Sequence, residues 1–225
     1  MEVEPNVNDT TREQKEARWR DPAMAQLGFD PGLAGVRAYI DQLRAIRNTD
    51  WAYCGFFTKY PVGHFAYASF GGPRLVMHYA NDNWGPDNID RLFAHETGHI
   101  FGAPDEYTSS GCDCGGQWGF CRKPNGNCVN CAAGGGVPCI MKSNSWEMCG
   151  YTPFHLGFDI PSTVPFVRET LQAHAAQAVR DVCLEPRFTG STGPGAWVWS
   201  QSPSAGTKLA RGGTVTMQLR TGPIP

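Results

Sequence analysis

Nine cysteines, six of them between positions 112 and 139, constrain this chain more than any other feature. They run C-x-C-x6-C-x6-C-x2-C-x7-C from Cys112 through Cys114, Cys121, Cys128 and Cys131 to Cys139. The surrounding residues 108–150 are dominated by Gly, Cys, Asn and Pro and show neither a helical nor an alternating period. A segment of that length without regular structure stays ordered only when something staples it. One C-x2-C is present but not the paired knuckles of a zinc ribbon, so disulfides are the favoured reading, with a structural zinc site and a redox latch as alternatives. Connectivity cannot be read from spacing, and the odd count leaves one thiol over. Disulfides imply an oxidising compartment and hence secretion, although the polar start of the chain is not a signal peptide.

Periodic segments flank this irregular one. Leu33, Val36, Ile40, Leu43 and Ile46 recur at helical steps after Pro31 and predict an amphipathic helix to about Asn48. Residues 51–60 and 64–79 are rich in aromatic and β-branched side chains, broken by Pro61-Val62-Gly63 and Gly71-Gly72-Pro73, and read as three short strands. After a loop at 81–86, Asp87 is placed to cap a helix with an apolar face of Ile89, Leu92, Phe93, Ile100 and Phe101, ending near Gly102. Val164, Val167, Leu171, Ala175, Ala178 and Val182 predict a second long helix from Ile160 to Cys183. The fold class is therefore α+β. Residues 1–29 read as an extension, 30–184 as the main domain and 185–225 as a β-rich segment, with the boundary between 185 and 195.

Two function classes recede on composition. A net charge of −2 gives no electrostatic footprint for nucleic acid. No apolar run approaches the roughly 18 residues that a membrane span needs.

The run from His95 to Tyr107, HETGHIFGAPDEY, carries the chemistry. Residues four apart share a helix face, so His95 and His99 can present two imidazoles to one metal ion. Glu96, one step round from His95, can act as general base without being a ligand. A catalytic zinc site wants three protein ligands and one open position. Gly102 permits an unusual backbone at the helix end, Pro104 stiffens the return, and Asp105 is the first carboxylate able to close the site.

This run resembles the metzincin zinc signature H-E-x-x-H-x-x-G-x-x-H, with Asp105 where most members have a third His. Some bacterial secreted neutral proteases of the clan carry Asp there, and the following DEY is similar to that of a bacterial group of immunoglobulin A-type metallopeptidases. The resemblance spans roughly residues 30 to 184. It implies that Cys139-Ile140-Met141-Lys142-Ser143 is the turn that places a methionine, Met141, beneath the zinc. Several members have a Tyr two residues after this Met; here it is Ser143, so Tyr107 and Tyr151 become the candidate oxyanion stabilisers. Peptide hydrolysis is the implied activity: Zn2+ acidifies a water and polarises the scissile carbonyl, and Glu96 relays the proton to the leaving amine. The substrate would be an extended protein segment paired with an edge strand, for which residues 75–79 are the candidate. Cys54 is the upstream thiol that could block the metal.

Residues 197–222 resemble the second half of a PASTA domain, whose modules bind cell-wall glycan or act as spacers; the helix-bearing first half is not evident. The competing functional readings are a zinc-fold module without turnover that binds a cell-wall or glycoprotein partner, and a zinc hydrolase acting on another bond.

Overall fold

The computed structural model describes residues 9–59, 63–79, 86–158 and 161–224; the expected turn at Pro61-Val62, the loop at 81–85 and the helix start at Ile160 lie outside them. Its opening element corrects the sequence reading. Residues Arg12–Gln26 form helix α1, started by a reciprocal capping box: Gln14 N–H donates to Thr11 Oγ1 at 3.2 Å, and Thr11 N–H to Gln14 Oε1 at 3.0 Å. Apolar periodicity missed it because its buried face is charged. Glu16 is fully buried and accepts from Arg20 Nη1 (2.9 Å), from Arg74 Nε and Nη2 (2.9 and 2.6 Å) and from the Tyr67 hydroxyl (2.9 Å). Such a network satisfies every charge it removes from water.

Helix α2 spans Gly32–Arg47 and closes on Asn48 in the left-handed conformation. Strands β1 (Cys54–Thr58), β2 (Ala66–Ala68) and β3 (Arg74–His78) form one sheet in the order β1-β3-β2. β1 runs parallel to β3, with Cys54 opposite Arg74, and β2 runs antiparallel, with Ala66 opposite Met77. β3 is buried along its whole length and paired on both sides. The strand expected to offer a free edge is therefore the central one, and the edge falls to β2.

Helix α3, Ile89–Ile100, lies across this sheet, with Leu92, Phe93 and Ile100 packed against Leu75 and Met77. A single 3-10 turn, Pro86–Asn88, precedes it; Asn88, not Asp87, occupies the cap position and makes no side-chain capping bond there. On the opposite face Gly98 admits Met141, whose Sδ would stand 2.6 Å from a Cβ at that position.

The Cys-rich segment is irregular, as expected, with two internal disulfides, Cys112–Cys128 and Cys114–Cys131. A third, Cys121–Cys183, reaches forward past the short helix α4 (Thr152–His155). Next come β4 (Ser162–Thr163), α5 (Gln172–Arg180), β5 (Glu185–Gly190), β6 (Trp197–Ser202), β7 (Lys208–Leu209) and β8 (Thr214–Arg220). The long helix expected from 160 to 183 is thus only the nine residues of α5. Val164 and Val167 are buried from non-helical backbone instead, and their spacing mimicked a helical period.

β8 is central in the second sheet, parallel to β5 and antiparallel to β6, and β4 pairs with β7. One core joins Val164, Val167, Ala175 and Val179 to Val198, Val215, Met217 and Leu219. That packing joins residues on both sides of 185–195, where the sequence suggested a boundary.

Candidate metal centre

Helix spacing and a glycine bend bring three side chains to one point. His95 Nε2 lies 3.0 Å and His99 Nε2 3.2 Å from Asp105 Oδ1. The bend is the one foreseen: Gly102 has φ +89°, its N–H donates to His99 O (3.0 Å), and Ala103 N–H donates to Gly98 O (2.9 Å).

Carbonyls fix the imidazoles. His95 Nδ1 is 2.8 Å from Ile140 O and His99 Nδ1 is 2.8 Å from Ala103 O. A carbonyl only accepts, so each Nδ1 carries a proton and each Nε2 is the atom turned toward the shared point, where its lone pair can serve as a ligand. Asp105 Oδ1 is buried and accepts no hydrogen bond of good geometry although both nitrogens are near. Two lone pairs and a carboxylate oxygen facing one another at this range repel unless a cation sits among them. Tetrahedral ligands on bonds of about 2.0–2.1 Å stand roughly 3.3 Å apart, close to the spacings found. The donor set therefore fits a divalent ion with nitrogen and oxygen preference, zinc among them.

The electrostatics agree. Burial alone would raise the Asp105 carboxyl, but the adjoining His95 and His99 hold it well below the usual carboxylate range. Burial alone would lower His99, yet Asp105 raises it. The cluster draws in positive charge, which a proton or a metal ion can supply.

Glu96 is 6% exposed, and burial pushes its carboxyl up; its Oε2 has no partner. It lines a cleft of about 380 Å³ together with His64, Phe65, Arg91, Tyr107 and Asn144. The Tyr107 hydroxyl donates to Asp105 Oδ2 at 3.3 Å, and burial pushes the phenol up to about 12. Tyr151 does not line this cleft: its ring lies close against Gly126. Cys54 lies on β1 opposite Arg74, outside the ligand group.

The Cys-rich segment positions the third candidate ligand. Asn125 Nδ2 donates to Asp105 O (2.8 Å), Glu106 N–H donates to Met141 O (2.9 Å), and Val129 N–H donates to Glu106 O (2.9 Å). These supports escaped sequence reading because they join positions far apart in the chain. Arg91, one turn before His95 on the same helix face, could have been found by the same i, i+4 spacing.

Glu106, Cys139 and Cys149 form a second buried group, with ligand atoms within 4.8 Å of one another, that could hold a metal ion. The other cysteines of the 112–139 stretch are spent in disulfides. Three disulfides are compatible with an extracellular setting, and no helix among the described residues is long and apolar enough to cross a membrane. No protein-family model matches the chain, and no curated protein matches it in sequence.

Proposed function

We propose that this chain is a zinc-dependent endopeptidase of the metzincin kind, secreted, with His95, His99 and Asp105 as metal ligands and Glu96 as the general base. The observation that carries the reading is the convergence of two oriented Nε2 atoms and one carboxylate oxygen beside the Glu96 carboxylate, whose Oε2 is unpartnered, in an open cleft. Bound there, a zinc ion would supply Lewis acidity toward the scissile carbonyl and acidify a water.

The chain's own groups do the rest. Glu96, in a largely dehydrated position, takes the proton of the attacking water and delivers it to the leaving amine. Tyr107 keeps its phenolic proton and is the donor placed to meet negative charge developing on the carbonyl oxygen. Met141, fully buried under Gly98, supports the floor of α3. An extended substrate would add to β2, whose Ala66 lines the cleft, rather than to β3. The C-terminal segment, where α5 and a three-stranded sheet share one core, fits the proposed PASTA-like module, and contact with a cell wall through it is part of this proposal.

Metal analysis paired with cleavage of denatured casein, wild type against Glu96→Ala, tests the proposal. Zinc near one per chain in both proteins, with cleavage only by the wild type, is the expected result. Zinc in both and cleavage in neither would favour a binding module without turnover, and no zinc in either would end the assignment.

A further inference from the structure

Cys139 and Cys149 bracket the segment that carries Ile140 and Met141. Cys149 N–H donates to Cys139 Sγ at 3.3 Å, and the Thr152 hydroxyl lies 3.1 Å from Cys139 Sγ and 3.3 Å from Cys149 Sγ. The two sulfurs are within 4.8 Å of each other, so bonding them asks for a shift of side chains rather than of the chain path. Both are buried.

The geometry points to a fourth disulfide, Cys139–Cys149, that clamps the turn orienting His95, so that the grip of the proposed centre on its metal depends on the oxidation of this pair. This inference rests on the proposed metal site. The link is direct: Ile140, next to Cys139, supplies the carbonyl that holds His95 Nδ1, and Met141 supplies the one that holds Glu106 N–H. Ile140 N–H in turn donates to Glu147 O across the loop that the bond would close.

Chemistry favours the bond over a metal at the same place. A structural zinc site takes four ligands, whereas this group offers three, and Thr152 adds only a neutral hydroxyl. Two thiolates and a carboxylate would also put three negative charges against two positive ones in a buried pocket. Oxidation removes both thiols, leaving Glu106 with the Asn127 amide at 2.6 Å and the Thr152 hydroxyl at 3.5 Å. Counting agrees: three disulfides and this one use eight of nine cysteines and leave Cys54 as the odd thiol.

The step needs a disulfide-bearing oxidant, such as oxidised glutathione or a thiol–disulfide oxidoreductase. The thiolate of one cysteine attacks the oxidant's disulfide and releases one thiol. The second cysteine, deprotonated, then displaces the other, so that two protein thiols become one disulfide and the oxidant becomes two thiols. Since both sulfurs are buried in the folded chain, this exchange belongs to folding, before the turn closes.

The test uses the full chain, folded under oxidising conditions. Alkylation with N-ethylmaleimide in denaturant without reductant, followed by peptide mass mapping, should label Cys54 alone and recover a linked Cys139–Cys149 peptide pair. Labelling of both Cys139 and Cys149 would overturn the bond; if that labelling also required prior chelation of a second zinc ion, the group is a metal site instead. Zinc affinity, read by competition with a chromogenic chelator, should fall at least tenfold in Cys139→Ala/Cys149→Ala and stay unchanged in Cys54→Ala. An unchanged affinity in the double variant would overturn the clamp. The labelling result stands without zinc, so a wild type that binds none would sink the proposed function and leave the bond to be judged by mass alone.

Discussion

Gly102→Ala separates two demands that the metal-site bend makes on its glycine. The backbone there has φ +89°, and a Cβ would stand 2.9 Å from Gly119 Cα and 3.3 Å from Gly119 N, so two chain segments approach too closely for a methyl group. A left-handed conformation costs an L-residue about 1–2 kcal/mol. Forcing a methyl against packed backbone adds about 1–3 kcal/mol. The reduced freedom of the unfolded chain offsets about 0.4–1 kcal/mol of this. Gly28, with φ +82° and nothing within 4 Å of its Cβ position, is the internal control, because it carries the first cost without the second. Urea unfolding in the presence of chelator should therefore show Gly102→Ala less stable than Gly28→Ala by about 1–3 kcal/mol. The bend also carries Ala103 O, which orients His99, and leads into Asp105. Zinc affinity should accordingly drop roughly tenfold or more in Gly102→Ala and not in Gly28→Ala. Equal stability losses in the two variants would refute the close-approach argument, and unchanged zinc affinity would refute its link to the ligands.

Other expectations follow from the same geometry. Burial alone would raise the Glu16 carboxyl, but Arg74 and Arg20 hold it below its ordinary 4.5; its contribution is thus present above that value and lost as pH falls through the lower folded one. Glu16→Gln should lose about 3–5 kcal/mol at neutral pH by leaving Arg74 and Arg20 without their shared buried carboxylate, and its melting temperature should fall less steeply below pH 4.5 than that of the wild type. Parallel slopes would count against this. Zinc at a hundred times its dissociation constant should raise stability by about 2.7 kcal/mol, measured by chemical unfolding with and without chelator, and Asp105→Ala should abolish the gain. Arg91 Nε is buried without an acceptor beside a cleft that Lys142 also lines, so peptides with Glu near the scissile bond should be cleaved in preference to those with Lys. In Arg91→Leu that kcat/KM ratio should shrink about tenfold, the worth of about 1.4 kcal/mol; an unchanged ratio would remove Arg91 from specificity.

Legibility in the sequence followed the range of the interactions. His95, His99 and Asp105 lie within eleven consecutive positions, so helix spacing and one glycine were enough to place them together. The same local logic found α2 and the three strands around it. It failed for α1, because Glu16 and Arg20 fill buried positions that a hydrophobic pattern reserves for apolar side chains. It misjudged the described part of 160–183, where Val164 and Val167 reach the core from non-helical backbone. It also could not choose between Tyr107 and Tyr151, since only the folded path of the Cys-rich segment decides which hydroxyl meets Asp105.

The division of labour in this segment has a consequence for variants. The ligands themselves come from a short stretch of chain, but their orientation is borrowed: His95 depends on Ile140 O, His99 on Ala103 O, and the backbone of Asp105 and Glu106 on Asn125, Val129 and Met141. All but one of these supports sit in the irregular part that the disulfides hold. Part of the cleft wall lies outside that segment, in Arg91 from α3, whereas Ser143 and Asn144 line the cleft from within it, just past the Met141 turn. Changes that loosen the disulfide-bonded stretch 112–131 should therefore weaken metal binding before they alter which peptides are cut, while changes at Arg91 should do the reverse. A variant within 112–131 that kept full metal affinity but changed cleavage preference would show that this stretch contacts substrate and does not act as a brace.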